Sequence, residues 1–159
     1  MDKNNTLTVF NSIMKTYGII FIAIIVSIVS ASLYVSNLGS IVEAESSSAF
    51  FMQLAAIAVT ISIIPLGYIS TQKMIKNIDP ALTLQEKLLP YRKALTLRFL
   101  AIMAAAVLVN VFFWFTANTN LMLIVAIIIL FYIISKPNPF KTADDLNLNT
   151  TDKLRLMGK

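Results

Sequence analysis

"TLQEKLLPYRKALTLRF", residues 83–99, lies between two long apolar runs and gathers Glu86, Lys87, Arg92, Lys93 and Arg98 into one connecting stretch. Its setting is a chain of 159 residues that is 57% hydrophobic and 13% charged, whereas soluble proteins carry about a quarter charged residues. The mean hydropathy is +0.77. The apolar residues come in blocks without a polar face, so an amphipathic soluble core does not describe them.

Each block matches a membrane crossing. "YGIIFIAIIVSIVSASLYVS" (17–36) has twenty residues and no charge, enough at 1.5 Å per residue to cross about 30 Å of hydrocarbon. The second block is 50–70 and the third about 95–115. The fourth, about 119–135, has an apolar core, "LMLIVAIIILFYIIS" (121–135), of only about 22 Å. It counts as a span because the preceding "TANTN" is polar but uncharged and suits the interface, and Lys136 can snorkel at the other end. A re-entrant segment is the alternative. The expected fold is all-α, a single-domain membrane four-helix bundle over 1–159.

The charge map explains the opening stretch. The loop after the first block holds Glu43 and Glu45 and no basic residue, and "TANTN" holds no charge. All 13 Lys and Arg fall before the first block, in the loop 71–94 and the start of the third block, or in the tail 136–159. Basic residues collect on the cytoplasmic side, and four crossings put both termini and the central loop on one side. The charged stretch therefore reads as the cytoplasmic loop of a bacterial inner-membrane protein with both ends inside.

Within that loop, Asp79-Pro80 stops a helix, and Thr83 with Glu86 forms a capping box for a new one. The pattern predicts a short interfacial helix with Leu84, Leu88 and Leu89 on one side and Gln85, Glu86 and Lys87 on the other. Pro90 is expected to kink it before the third span. Lys87, Arg92, Lys93 and Arg98 are candidates for contact with lipid headgroups or a partner, with Arg98 snorkelling from about one turn inside.

Leu7, Phe10, Ile13 and Met14 stand at helical spacing, which suits either a surface helix or an extension of the first span. "VEA" (42–44) loosely fits a signal-cleavage rule, but the apolar run is long and its leading segment weakly basic, so the first block reads as uncleaved. In the tail, "KPNPF" ends helical structure, Thr142 is a candidate cap, and Leu146, Leu148, Leu154 and Leu156 either pack on the loop or fray. The last ten residues are expected to be the most mobile.

Small residues four apart let helices approach closely where lipid provides no hydrophobic drive. Ala23, Ser27 and Ala31 supply them in the first span, and Ala101 and Ala105 in the third. The fourth has only Ala126 among large aliphatics and should face lipid most. The candidate intramembrane polar groups are Gln53, Thr60, Ser62 and Asn110, of which Gln53 and Asn110 are expected to bond across helices. Pro65 and Gly67 should loosen the inner end of the second span, with Ser62 available to a freed carbonyl.

The chain has no Cys and no His, and no carboxylate or basic residue lies between Tyr17 and Ser36, Phe50 and Ser70, or Phe99 and Ser135. Proton-coupled carriers and ion pumps normally keep such a group in the path. No nucleophile, metal or nucleotide motif is present, so no catalytic, cofactor or metal site is expected. The net charge of +5 follows from topology and not from nucleic-acid binding.

"PYRKALTLRF" ahead of a small-residue helix, with "KPNP" and "ADDLNL" after the last span, resembles a group of small four-helix bacterial membrane proteins. The resemblance covers the second half of the chain. Members of that group often carry a carboxylate early in the third helix. "AIMAAA" has none here, so no role transfers. Two functions fit the residues. The first is a non-catalytic oligomer or accessory subunit of a membrane assembly, partnered by the bilayer and by itself or another membrane protein. The second is a passive channel or carrier for an apolar or lipid-like solute, for which Ser27, Ser30, Thr60, Ser62 and Asn110 should converge on one cavity.

Overall fold

A computed structural model describes residues 3–42 and 46–157, with side chains from residue 8 onward; Glu43, Ala44 and Glu45, which include the acidic pair and the end of "VEA", lie outside the described residues. The described residues form six helices joined by short turns, without strands. The helices are α1 (Lys3–Leu38), α2 (Ser47–Lys76), α3 (Leu84–Thr116), α4 (Thr119–Ile134), α5 (Pro139–Asp145) and α6 (Thr150–Leu156). Three stretches are long and apolar enough to cross a membrane: Thr8–Leu38, Ser47–Lys76 and Leu84–Thr116. The 16 residues of α4 cover about 24 Å, and the chain then bends by 79° into α5.

The architecture is organised around α3. Leu84, Leu88, Tyr91, Ala94, Leu95, Phe99, Ile102, Ala105, Ala106, Val109 and Phe113 are all buried. They recur at helical spacing on more than one face, because α3 has α1 on one flank, α2 on another and α4 along a third. Among the described residues α1 and α2 make almost no direct contact. The Thr71 hydroxyl fastens α2 to α3, donating to the carbonyls of Gly67 at 2.7 Å and Ala94 at 3.0 Å. At the far end the N–H groups of Ile41 and Val42 donate to the Phe115 carbonyl at 3.0 and 2.9 Å. Ala117, in the left-handed region at φ +50°, closes α3 with its N–H bonded to the Phe113 carbonyl. At the near end the Tyr91 hydroxyl donates to the Asp145 carboxylate at 2.9 Å, tying α3 to α5. The described Lys and Arg residues belong to this near end, with Arg98 reaching farthest inward.

Several expectations change. The interfacial helix is not separate, because α3 runs unbroken through Pro90 from Leu84. Only the bond to the Glu86 carbonyl is lost there, and Leu84, Leu88 and Tyr91 already hold the first turns against their neighbours. The Glu86 carboxylate accepts from the Thr83 N–H at 2.9 Å and the Thr83 hydroxyl at 2.7 Å, so the cap forms as read. Lys87 is buried and Leu89 exposed, the reverse of the expected sides, because Lys87 falls on the stripe Leu84, Leu88, Tyr91. The residues from Lys3 onward extend α1 to 36 residues, with Phe10 and Ile13 buried.

Likewise α2 continues through Pro65. Gly67 does not loosen it but permits close approach, since a Cβ there would stand 2.5 Å from the Ala101 Cβ. In the tail Asn138, not Thr142, caps α5, accepting from the Lys141 N–H at 2.7 Å. Pro139 at the first helical position starts the helix earlier than the Thr142 reading allowed, and Thr142 is buried inside it. The tail also packs: Leu146, Leu148 and Leu156 are buried, α6 rests against α1, and Leu154 is exposed. On α4, Leu121, Val125, Ile128 and Tyr132 form the buried face and most other side chains look outward.

Candidate functional site

The site begins with a residue on the wrong face for its chemistry. Counting from Tyr91 and Ala94, the inward stripe of α3 passes through Leu95, Arg98, Phe99 and Ile102. Arg98 therefore does not extend along the helix surface as a snorkelling side chain would; it is directed into the protein and is 1% exposed. Its guanidinium carbon stands 4.1 Å from the centroid of the Tyr68 ring on α2. Among the described residues no carboxylate lies within ion-pair distance, and Arg98 Nε and Nη2 are buried without a hydrogen-bond partner. Stacking on an aromatic face returns about 2 kcal/mol or somewhat more when desolvated. Burying an unpaired charge costs several kcal/mol even after local relaxation. The cation is undercompensated by the protein's own groups.

Arg98 borders a groove of about 740 Å³ between α2 and α4. The groove exists because α2 and α4 each pack onto α3 and touch one another only sparingly. Thr71 and the Gly67–Ala101 approach pin α2 to α3, leaving the α4 side apart. Ile57, Ile61 and Ile64 from α2 face Ile127, Phe131 and Ile134 from α4. Most of these side chains are exposed, so the groove opens sideways along the helices and is not a sealed cavity. Its polar groups are unevenly placed. Tyr68, Arg98, Ser135 and Lys141 cluster at the near end, and Thr60 stands alone farther along. The Thr60 hydroxyl donates to its own helix at the Ala56 carbonyl, 2.8 Å away, which leaves the middle of the groove aliphatic in character.

The remaining candidates are distributed elsewhere. Arg92 and Lys93 are exposed on α3, away from Arg98, and Lys87 is buried nearer the helix start. Asn110 donates from Nδ2 to Ser27 Oγ at 2.6 Å, joining α3 to α1, while Asn110 Oδ1 is buried without a partner. Gln53 Oε1 accepts from Asn118 Nδ2 at 3.1 Å at the far end. Ser30 and Ser62 are exposed. The five hydroxyl and amide groups read as a possible lining therefore do not converge. Of the packing residues, Ala31 and Ala105 are buried, Ser27 and Ala101 half-buried, and Ala23 exposed.

Tyr68, Ser135 and Lys141 were missed. Nothing in their local sequence marks them, since they join Arg98 from three other points of the chain. The inward placement of Arg98 was readable from its spacing to Tyr91, Leu95 and Ile102. Among the described residues no group of His, Cys, Asp and Glu is arranged to hold a metal. The chain matches no protein-family model, and comparison with curated proteins and with solved structures returned no match. Three long apolar helices define the class, a membrane protein, and the groove beside Arg98 is its distinctive feature.

Proposed function

We propose that this is a non-catalytic, four-span protein of a bacterial inner membrane, with both ends cytoplasmic, that holds a lipid-like molecule in the groove between α2 and α4. The observation that carries the reading is the groove itself. It is about 740 Å³, within the range of small-molecule sites, with aliphatic walls open along the side that would face acyl chains. The clustering of Lys and Arg at the near end supports the orientation. The hydroxyl and amide groups expected to line a channel or carrier path do not converge, which counts against that function, and the groove rests on a different set of residues.

The test is native mass spectrometry of the protein extracted in mild detergent. Lipid adducts are expected on the wild type, and Ile61→Trp, which fills the groove from an exposed position, should reduce them several-fold. Equal adduct levels in both proteins, or none in either, refute the reading.

A second reading, self-association or service as a subunit of a larger assembly, is favoured by small residues left outside the fold. Ala23 and Ser30 on α1, and Ala58 and Ser62 on α2, are exposed and available for close helix contact. Crosslinking in native membranes that yields only monomer, with no copurifying protein, counts against it.

A further inference from the structure

An apolar occupant accounts for the isoleucines of the groove but not for Arg98. The guanidinium is buried, stacked on Tyr68, and has no carboxylate within ion-pair distance among the described residues; the Asp145 carboxylate at the same end is bonded to the Tyr91 hydroxyl instead. The two unpartnered nitrogens are Nε and Nη2. They form one edge of the guanidinium fork, the edge that engages two oxygens of a phosphate or carboxylate side by side. Lys141, on the tail helix α5, brings a second positive charge to the same end of the groove.

We infer that the groove selects an anionic glycerophospholipid, whose phosphate is held by Arg98 with support from Lys141 and whose acyl chain lies along α2 and α4. This rests on the lipid-holding reading given above and adds the chemistry of the headgroup. Three features fit together. The charge is concentrated at one end and hydrocarbon fills the rest, which is the layout of an amphiphile. The α2 wall from Ile57 to Ile69 is about 18 Å long, close to the thickness of one leaflet. The cationic end is also the end at which the basic loop and tail gather, where a headgroup of that leaflet lies. Tyr68 stacks on the guanidinium face and is itself 41% exposed, whereas the Nε–Nη2 edge is buried, so a phosphate reaches that edge only when the side chains around it shift.

A phosphate of the surrounding bilayer is the occupant that satisfies both parts. A free phosphate would leave the aliphatic length unused, and a neutral lipid would leave Arg98 unpaired. Zwitterionic headgroups carry their own cation and gain less from the Arg98–Lys141 pair.

The experiment titrates the full-length protein in detergent with phosphatidylglycerol or phosphatidylcholine of identical acyl chains and counts bound lipids by native mass spectrometry. Wild type should retain phosphatidylglycerol roughly thirtyfold better, the scale expected of two basic groups acting on one anionic lipid. Arg98→Gln should lose that preference while still carrying lipid, and Lys141→Gln should lose part of it. Arg98→Lys keeps the charge without the fork and should fall between. Equal retention of the two lipids by wild type, or an undiminished preference in Arg98→Gln, overturns the headgroup assignment and leaves the groove reading intact. Absence of any lipid, or retention indifferent to Ile61→Trp, removes both. A dimer that forms only as lipid is lost would assign the groove to a second copy of the chain and overturn the inference. Should Arg98→Gln fail to fold, the wild-type comparison and Lys141→Gln still decide it.

Discussion

The hydroxyl of Tyr132 donates to the backbone carbonyl of Tyr17 at 2.6 Å, and the hydroxyl of Tyr17 donates to the backbone carbonyl of Tyr132 at 3.3 Å. The two rings stack with centroids 4.6 Å apart, and Phe99 of α3 meets Tyr17 edge-on at 5.4 Å. This reciprocal pair, with Phe21 of α1 also stacked on Tyr132 at 5.8 Å, joins α1 to α4, whose backbones come close at few points. It fixes the near end of α4 from behind, and so sets the position of the α4 wall on the other side of the helix. Phe131 and Ile134 of that wall flank Tyr132 in sequence.

Tyr132→Phe keeps the ring and removes the shorter bond, so it should cost about 1 kcal/mol, the usual scale for one interhelical hydrogen bond. Tyr17→Phe removes the longer bond and should cost less. Thermal unfolding in mild detergent measures both, and the double variant should fall short of additivity because the two groups share one contact. If Tyr132→Phe also lowers lipid retention, the clasp is what holds the groove in shape.

Gly67→Ala should be the most damaging small substitution in α2. The new methyl would stand 2.5 Å from the Ala101 Cβ, so the helices must part, at about 1–3 kcal/mol for overpacking. Ala101→Gly in the same chain removes the opposing methyl and should restore most of the lost stability. A double variant no more stable than Gly67→Ala alone would show that the contact does not set the α2–α3 distance.

Ser27→Ala should be worse than replacing both members of its pair. It leaves the Asn110 amide group buried without its 2.6 Å partner, and Asn110 Oδ1 already lacks one. The expected loss is about 1–3 kcal/mol for a stranded polar group. Ser27→Ala with Asn110→Leu removes donor and acceptor together and should recover much of it. Equilibrium unfolding in detergent distinguishes the two outcomes.

Because the chain contains no cysteine, single-cysteine variants report topology without background. Ala81→Cys and Thr151→Cys, both exposed, should react with an impermeant maleimide only after the membrane is opened. Asn120→Cys, exposed at the start of α4, should react in intact cells. Labelling of Asn120→Cys and Thr151→Cys from the same side would mean that α4 enters and leaves on one face.

The existence and rough placement of the long apolar helices were the most legible part of the fold. Runs such as 17–36 and 50–70 sit inside α1 and α2, because a stretch of that length without charge leaves its backbone no partner in lipid other than its own helix. Their ends were less legible. Pro90 and Pro65 looked like breaks, yet α3 and α2 pass through them, since packing on both sides of each proline outweighs the one bond it removes. Lys87 was placed outward by its charge although its spacing from Leu84 and Tyr91 pointed in. Charge was trusted over period, and period was right.

By itself the sequence determined that the chain forms long apolar helices with its basic residues at one end, because hydrocarbon thickness dictates segment length and charge resists crossing. What only the tertiary structure decided is that Arg98 stacks on Tyr68 and lines one aliphatic groove with Ser135 and Lys141. Those four residues are scattered along the chain, and their meeting depends on α2 and α4 each docking on α3 while standing apart from one another. Side-chain packing makes that choice, and no local spacing encodes it.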